Sequence, residues 1–248
     1  MDRIKDYGHL QKRIVQWIKN YAEKNGIKSL VVGVSGGIDS AVVSTLCAET
    51  GLPVFALGMP ILQNKDQLSL SGDHLNWLAN KYTNVVIHEI EMTQLFNSFC
   101  NTLGIHGYSS NKLALANSRS RLRMVTLYQV AGSADGIVVG TGNKIEDYGV
   151  GFYTKYGDGG VDIAPIADLY KTEVWMLGKF LGVDQSIIDA PPTDGLWDDS
   201  RTDEDQLGAT YIELEEAMEK SNGPAVKILE KFNLLNQHKM IPIPTFKL

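Results

Sequence analysis

The sequence predicts an α/β fold with an open, doubly wound parallel sheet and helices on both of its faces. Short apolar runs rich in β-branched residues alternate with longer segments of helical periodicity. The first run leads through a glycine turn into an apolar helix, and polar loops follow the strands at the edge where such sheets bind ligands. We expect five strands and a helical C-terminal part, all within a single domain over residues 1–248.

The elements are predicted in chain order. An amphipathic helix over 3–24 repeats Leu10, Ile14, Trp17, Ile18 and Tyr21 at helical spacing. Apolar strands are expected over 30–34, 53–58, 85–90 and 136–140. Helices are expected from 38, over 68–81, 92–103 and 112–133, from 171, and over 209–220 and 223–233. Leu75, Leu78 and Ala79 are expected to face the core, as are Leu115, Leu122, Val125 and Tyr128 of the long helix.

Composition narrows the classes of partner. The formal net charge of −6 disfavours a nucleic-acid groove, which usually carries a basic excess. Asp2, Lys5 and Asp6 stand where a signal peptide would begin its apolar region, and no apolar run is long enough to span a membrane. Cys47 and Cys100 are too few for a zinc cluster. We therefore expect a cytoplasmic protein with no nucleic-acid or membrane partner.

The glycine turn over 33–40 has the character of an anion site. Gly36 and Gly37 allow close approach of a ligand, and backbone N–H groups at a helix N-terminus favour anions. Asp39 would repel a bare phosphate, but it suits a phosphate site that also holds Mg²⁺. The turn lacks the lysine of a Walker A loop and is not G-x-G-x-x-G. The alternative is an ordinary serine-capped turn between a strand and a helix.

The complete string Ser-Gly-Gly-Ile-Asp-Ser over 35–40, placed after a strand, resembles the pyrophosphate loop of the N-type ATP pyrophosphatases. Those enzymes cleave ATP between its α and β phosphates. The group includes NAD synthetases, GMP synthetases, argininosuccinate synthetases and tRNA-modifying enzymes. The loop alone does not choose among them.

Three arginines on the long predicted helix form the next motif. Residues two positions apart lie about 200° apart on a helix, so Arg119 and Arg123 share a face and Arg121 points elsewhere. The arginines form either a solvated basic face or a clamp for carboxylate or phosphate groups.

Polar residues after the fourth strand form a second motif. Glu146 is a candidate second Mg²⁺ carboxylate that would reach Asp39 across neighbouring strand ends. Alternatively, Asn143 or Glu146 caps a helix.

Two later segments are rich in polar and glycine residues. The stretch over 151–171 packs glycines, aspartates and a lysine together, which suits a loop that wraps a polar ligand. Lys171 opens the following helix, where it would either reach phosphates at the glycine loop or lie on the surface. The acidic segment 194–206 is either a mobile lid, together with residues 60–67, or a solvated linker.

These pieces in this order, from about residue 10 to 240, resemble the ammonia-dependent NAD synthetases. The motifs that carry the resemblance are 35–40, Asn-x-Arg-x-Arg-x-Arg-Met over 117–124, Gly-Thr-Gly-Asn over 140–143 with Glu146, Thr-Lys-Tyr-Gly-Asp-Gly-Gly over 154–160 with Asp162, Pro-Thr over 192–193, and His-Lys over 238–239. Members of that family differ by one residue in the spacing between Glu146 and Lys155. The implied fold is adenine-nucleotide α-hydrolase-like.

The resemblance implies amidation of deamido-NAD by ammonia, through an adenylated nicotinate, to give NAD, AMP and pyrophosphate. It also implies site residues. The ATP set is Gly33, Val34, Ser35, Gly36, Gly37, Ile38, Asp39, Ser40, Thr141, Lys171 and Thr193. The Mg²⁺ ligands would be Asp39 and Glu146, and Asp158 would take a proton from ammonium. The deamido-NAD set is Arg121, Lys155, Asp162, His238 and Lys239.

The resemblance further implies a homodimer whose dinucleotide site lies at the subunit interface, with the 112–133 helix as interface material. The chain length leaves no room for a glutamine amidohydrolase domain, so ammonia is the expected nitrogen donor. The alternatives are another N-type ATP pyrophosphatase, GMP-synthetase-like or tRNA-modifying, or a non-catalytic adenine-nucleotide sensor. A sensor would not need Asp39 and Glu146.

Overall fold

A parallel sheet forms the centre of the structure, a computed structural model that describes residues 3–63, 65–196 and 201–247, without the side chains of 65–67. Its strands are β1 (Ser29–Gly33), β2 (Val54–Gly58), β3 (Val85–Glu89) and β4 (Gly136–Val138), in the order β3-β2-β1-β4. Val31 lies opposite both Phe55 of β2 and Val138 of β4. Because β1 is central, the loop that follows it lies in the middle of the carboxyl edge.

Ten α-helices are described. They are α1 (Tyr7–Asn25), α2 (Ile38–Glu49), α3 (Lys65–Lys81), α4 (Thr93–Gly104), α5 (Lys112–Ser133), α6 (Lys171–Leu181), α7 (Gln185–Asp189), α8 (Asp203–Leu207), α9 (Tyr211–Lys220) and α10 (Val226–Met240). A π-helix covers Ile145–Val150. No helix among the described residues combines the length and the apolar character needed to cross a bilayer.

The prediction of a fifth strand is wrong for the described residues, whose sheet has four strands. The segment beyond β4 makes one parallel bridge, between Val139 and Ile163. Pro165 lies two residues after Ile163, and a proline cannot donate a hydrogen bond to continue the ladder. The flanking glycines over 157–160 also disfavour an extended strand.

Helices cover both faces of the sheet, as the doubly wound prediction requires. On one face the almost fully buried helix α2 packs on Leu30 and Val32, and α1, α3 and α6 pack around it. On the other face α4 and α5 pack on Val31 and Val138. Successive strand residues point to opposite faces, so β1 contributes to both cores.

Several predicted core positions are wrong. Val125 and Tyr128 are 67% and 39% exposed, whereas Met124 and Leu127 of α5 are buried against the sheet. Leu115 and Leu122, also predicted to face the core, are half-buried and pack against it, so the core-facing stripe is displaced only in the second half of α5. Ala79 is also exposed, because α3 buries only the side that carries Leu75 and Leu78.

The C-terminal helices form a third apolar cluster. Residues of α9 and α10 pack on the π-helix around Ile145 and Val150. Helix α10 runs to Met240, beyond the predicted end at 233. His238 and Lys239 therefore lie in its last turn.

Candidate active site

The carboxyl ends of β1, β2 and β4 border a cavity of about 700 Å³. Its walls come from the glycine loop, the segments after β2 and β4, helix α5, the loop over 151–161, the segment over 190–196 and the end of α10. Ligand sites in open α/β sheets occupy this edge. Most of the predicted site residues therefore line one cavity.

The glycine loop is braced by its own serines. The Ser35 amide donates to Ser40 Oγ at 3.2 Å, and Ser40 Oγ donates to the Gly37 carbonyl at 2.9 Å. Gly36 has φ of 88°, a conformation that glycine adopts without strain. Among the described residues no side chain caps the N-terminus of α2 at Gly37, which leaves a favourable position for an anion.

Lys171 lies between the two predicted metal carboxylates. Its Nζ donates to Asp39 Oδ2 and, at 3.3 Å, to Glu146 Oε1. Lys171 is only 2% exposed, so the surface alternative for this residue is wrong. Burial acts to lower the pKa of Lys171, but Asp39 and Glu146 outweigh burial and raise it. Burial raises the pKa of the Glu146 carboxyl, and the charge of Lys171 opposes that rise.

Asn143 caps a helix, as one of the sequence alternatives predicts, and it also contacts Asp39. Its side-chain oxygen accepts hydrogen bonds from the amides of Ile145 and Glu146 at 3.1 and 3.3 Å, which caps the π-helix. Its Nδ2 donates to Asp39 Oδ1 at 3.2 Å. One residue therefore fixes the start of the π-helix and joins it to the glycine loop.

The donor set fits a divalent cation bound together with a phosphate ligand. No three described His, Cys, Asp or Glu side chains are grouped so that they enclose a metal by themselves. Mg²⁺ usually takes one or two carboxylates and completes its shell with phosphates and water. Asp203, whose buried Oδ1 has no hydrogen-bond partner among the described residues, adds a further carboxylate behind Glu146.

A second, basic group of predicted residues lies at the other end of the cavity. Arg121 Nε donates to the Lys155 carbonyl at 3.2 Å, and Lys155 Nζ donates to the His238 carbonyl at 2.9 Å. Lys239 Nζ donates to the Tyr153 carbonyl at 2.8 Å. The structure thus brings Arg121, Lys155, His238 and Lys239 together from three separate segments.

Asp162 does not join that group. Its carboxylate accepts a hydrogen bond from the Val138 amide at 2.7 Å and from the Tyr128 hydroxyl at 3.0 Å. These contacts attach the loop to β4 and α5. Asp162 does not line the main cavity, although its neighbour Val161 does.

Asp158 also lines the cavity. Ser120 Oγ donates to Asp158 Oδ1 at 2.5 Å, and the Thr154 amide donates to the same oxygen at 3.0 Å. Desolvation by the surrounding protein raises the pKa of Asp158, and these hydrogen bonds oppose the rise.

Packing within the protein, apart from any ligand, requires glycine at two positions of the loop. A Cβ on Gly157 would lie 2.2 Å from Ser120 Oγ, and one on Gly159 would lie 2.2 Å from the ring of Tyr153. The prediction of a loop that wraps a ligand therefore omitted this tight packing against α5 and Tyr153.

Arg119 and Arg123 share a face, as predicted, but that face is largely buried and not solvated. Arg123 donates to the Met59 carbonyl at 2.9 Å and to Gln63 Oε1 at 3.0 Å. Arg119 donates to the Leu196 carbonyl at 3.1 Å. Both arginines thus attach cavity walls to α5, and burial with the nearby charge of Arg119 lowers the pKa of Arg123 to about 10.

Thr141 and Thr193, predicted as ATP contacts, both line the cavity. Thr193 Oγ1 donates to the Arg201 carbonyl at 3.2 Å. The predicted loop over 194–206 ends earlier than expected, because α8 begins at Asp203. Residue 64 of one predicted lid and residues 197–200 of the other lie outside the described residues.

Sequence reasoning missed Asp147, Asp203 and Tyr211. Burial and the charge of Glu146 raise the pKa of Asp147, which lines the cavity, to about 7. In the sequence, Asp203 is indistinguishable from an acidic residue in the first turn of a helix. Tyr211 follows a threonine cap and has no signal beyond an apolar position of a helix.

A family model described as NAD synthase matches residues 10–241. The NH(3)-dependent NAD(+) synthetase of Alkaliphilus metalliredigens is 38% identical over 244 residues, covering 94% of this chain and 96% of that protein. The structure of NMN synthetase from Francisella tularensis matches with a TM-score of 0.88 and 31% identity, over 99% of this chain and 100% of that one. The NH3-dependent NAD synthetase from Campylobacter jejuni, in complex with the nitrate ion, matches with a TM-score of 0.78 and 26% identity, over 98% and 100% of the two chains.

Proposed function

The chain belongs to the NAD synthase family of enzymes, and on that premise we propose that its cavity amidates deamido-NAD with ammonia, driven by ATP, to give NAD, AMP and pyrophosphate. Membership of the family confirms the resemblance that the sequence motifs predict. It disfavours a GMP-synthetase-like enzyme, a tRNA-modifying enzyme and a non-catalytic sensor. Because the reaction consumes ATP, we place it in the cytoplasm.

The observation that carries the proposal is the position of Lys171 between Asp39 and Glu146, beside the glycine loop. One ammonium and two carboxylates carry a formal net charge of −1 at largely buried positions, and a divalent cation would offset it. Loop amides, an ammonium and carboxylates together match the triphosphate of ATP with a divalent cation. The ATP set therefore comprises the loop over 33–40 with Thr141, Lys171 and Thr193.

Asp39 and Glu146 would hold Mg²⁺, with Asp203 as a further carboxylate behind them. When bound, the cation would neutralise charge on the phosphates and act as a Lewis acid there. Lys171 and the loop amides would bind the pyrophosphate as it leaves, because charge accumulates on that group.

The basic group of Arg121, Lys155, His238 and Lys239 is proposed to bind the deamido-NAD, whose phosphates and carboxylate are anionic. Asp162 belongs to the same proposed set, acting through the loop that it anchors. Exposed apolar residues on α5, including Val125, favour a homodimer that covers this end of the cavity.

The proposed reaction has two steps, adenylation of the nicotinate carboxylate and its amidation by ammonia. A carboxylate oxygen of the nicotinate attacks the α phosphorus of ATP, and the bond from that phosphorus to the bridging oxygen breaks, releasing pyrophosphate. Ammonia then attacks the carbonyl carbon of the mixed anhydride, the bond to the AMP oxygen breaks, and the nitrogen gives one proton to water, leaving the amide. Asp158 would accept the proton that ammonium loses before the attack, because only free ammonia is a nucleophile.

The experiment that tests the proposal is NAD formation from deamido-NAD, ATP and Mg²⁺, with ammonium in one reaction and glutamine in another. We expect NAD with ammonium only, and none with Asp39→Ala. Pyrophosphate release with another acceptor, but no NAD, would retain the ATP chemistry and reject the substrate.

Deamido-NMN is a second candidate substrate. The Francisella tularensis NMN synthetase has a higher TM-score and a higher identity to this chain than the Campylobacter jejuni NAD synthetase. Both substrates carry the same nicotinate carboxylate, so the first step and the glycine loop would serve either. Comparison of kcat/KM for the two substrates decides between them, and we expect deamido-NAD to have the larger value.

A further inference from the structure

Tyr211 is the bulkiest fully buried side chain of the described residues. It is the first residue of α9, next to the Thr210 cap, and it reaches the carboxylates behind the glycine loop. Its ring lies 4.8 Å from Lys171 Nζ and packs edge-on against Trp175 at 6.4 Å between ring centroids. A phenylalanine would make the same ring contacts, so these contacts do not explain why a tyrosine hydroxyl is buried here.

The hydroxyl touches two carboxylates. It lies 2.7 Å from Glu146 Oε1 and 3.2 Å from Asp203 Oδ2. A phenol has one proton to donate, and the shorter contact assigns that proton to Glu146. Lys171 donates to the same Glu146 oxygen at 3.3 Å. Glu146 Oε1 therefore has two donors from the protein.

The other oxygen of Glu146 is less engaged. Among the described residues Oε2 has one long contact, 3.4 Å from the Asn143 amide. Glu146 also lines the cavity. With Oε1 fixed by Tyr211 and Lys171, the Oε2 atom is the one left for a cation.

We propose that Tyr211 is a positioning residue for the metal–nucleotide site, fixing the Glu146 carboxylate through its hydroxyl. The inference rests on the proposed function of Glu146 as a metal ligand. Partners behind metal ligands fix the orientation of those ligands, and their loss typically costs about 10-fold to 100-fold in metal affinity or activity.

Tyr211 also links this function to the C-terminal helices. Its backbone amide donates to Glu204 Oε1 of α8 at 2.9 Å. The Asp203 amide donates to the Pro192 carbonyl at 3.0 Å, beside Thr193. The orientation of Glu146 therefore depends on the packing of α8 and α9, which lie far away in the sequence.

The test uses Mn²⁺ as the probe, with ATP and without deamido-NAD, so that no acyl acceptor is present. Electron paramagnetic resonance gives the Mn²⁺ affinity of the wild type and of Tyr211→Phe. We expect the dissociation constant to rise about tenfold in Tyr211→Phe. We also expect KM for MgATP to rise more than kcat falls.

Tyr82→Phe is the matched control, because the Tyr82 hydroxyl also donates to a glutamate, Glu49, at 3.4 Å, and neither residue lines the cavity. Its Mn²⁺ affinity should stay within about twofold of the wild-type value. Equal weakening in Tyr82→Phe and Tyr211→Phe would assign the effect to the loss of any tyrosine hydroxyl bonded to a glutamate and overturn the proposal.

Circular dichroism checks that Tyr211→Phe is folded at the assay temperature. If it is not, Tyr211→Phe and the wild type are compared at a lower temperature at which the variant is folded. Unchanged Mn²⁺ affinity in the folded variant would overturn the positioning function of Tyr211. Glu146→Ala separates the two claims, because wild-type affinity in that variant would instead reject Glu146 as a ligand.

Discussion

Lys171 balances charge at the end of the cavity that the glycine loop borders. It is the cation between Asp39 and Glu146, and we propose that it also stabilises the leaving pyrophosphate. Lys171→Met should lower kcat by about 100-fold or more, as expected when a group that stabilises transition-state charge is removed. Steady-state kinetics at saturating MgATP measures the loss.

Lys144→Met is the matched control for that variant. Lys144 pairs with Asp168 at 2.8 Å, and its partner is 85% exposed, so the pair lies at the surface. Exposed pairs contribute little, and we expect near-wild-type kcat. A Lys171→Met enzyme with more than half the wild-type kcat would contradict the function given to the ammonium.

Arg121 tests the basic group at the opposite end of the cavity. Arg121→Ala should raise KM for deamido-NAD about tenfold, because a hydrogen bond to a charged ligand is lost, while KM for ATP should stay constant. Arg13→Ala, an exposed arginine on α1, serves as the control. A rise in KM for ATP alone would show that Arg121 binds ATP and would contradict its assignment to deamido-NAD.

At the scale of elements, the contact between α2 and α3 contains a buried histidine. His74 is 2% exposed, and its Nε2 lies 2.9 Å from Ser44 Oγ. Burial lowers the pKa of His74 to about 4. Between pH 6.5 and 4 the unfolded chain binds a proton here that the folded chain refuses, so stability is full above pH 6.5 and falls as the pH is lowered.

The contribution of His74 to this fall is about 3 kcal/mol in the free energy of unfolding. Urea denaturation between pH 7 and pH 4.5 should therefore show a shallower pH dependence for His74→Gln than for the wild type. His106→Gln, at an exposed position, should leave the slope unchanged. An identical slope in His74→Gln would show that this histidine is not kept neutral by burial.

Local sequence patterns were sufficient for most elements and insufficient for contacts between them. The glycine loop, β1 and the bounds of α5 follow from patterns within about 20 residues. Local patterns did not predict which face of α5 is buried. Val125 and Met124 are both apolar, and only packing on the sheet distinguishes them. Helical periodicity predicts an apolar face without saying what covers it.

The site divides in the same way. Asp39, Glu146 and Lys171 were predicted because each follows a recognisable motif, and the structure brings all three together. Tyr211 and Asp203 were not predicted, because their importance comes from α8 and α9 folding back on the π-helix. Contacts between residues about 60 positions apart leave no local pattern.

For the whole molecule, the proposal includes a homodimer. Val125 and Tyr156 expose 67% and 59% of their surface around α5, next to the basic group. Val125→Glu should shift the protein from dimer to monomer and raise KM for deamido-NAD, because a charge opposes burial of this face. Light scattering with size-exclusion chromatography measures the mass, and Ile212→Glu on α9 is the control. A wild-type monomer with full activity would contradict the dimer.

In the proposed reaction one oxygen atom of the nicotinate carboxylate passes to AMP, and isotope labelling tests this transfer most directly. The nicotinate carboxylate of deamido-NAD is labelled with ¹⁸O, and the products formed with ATP, Mg²⁺ and ammonium are examined by mass spectrometry. Attack of that carboxylate on the α phosphorus, followed by ammonia, predicts one ¹⁸O in AMP and one in the amide of NAD. Unlabelled AMP, or ¹⁸O in pyrophosphate, would contradict activation of the nicotinate by adenylation.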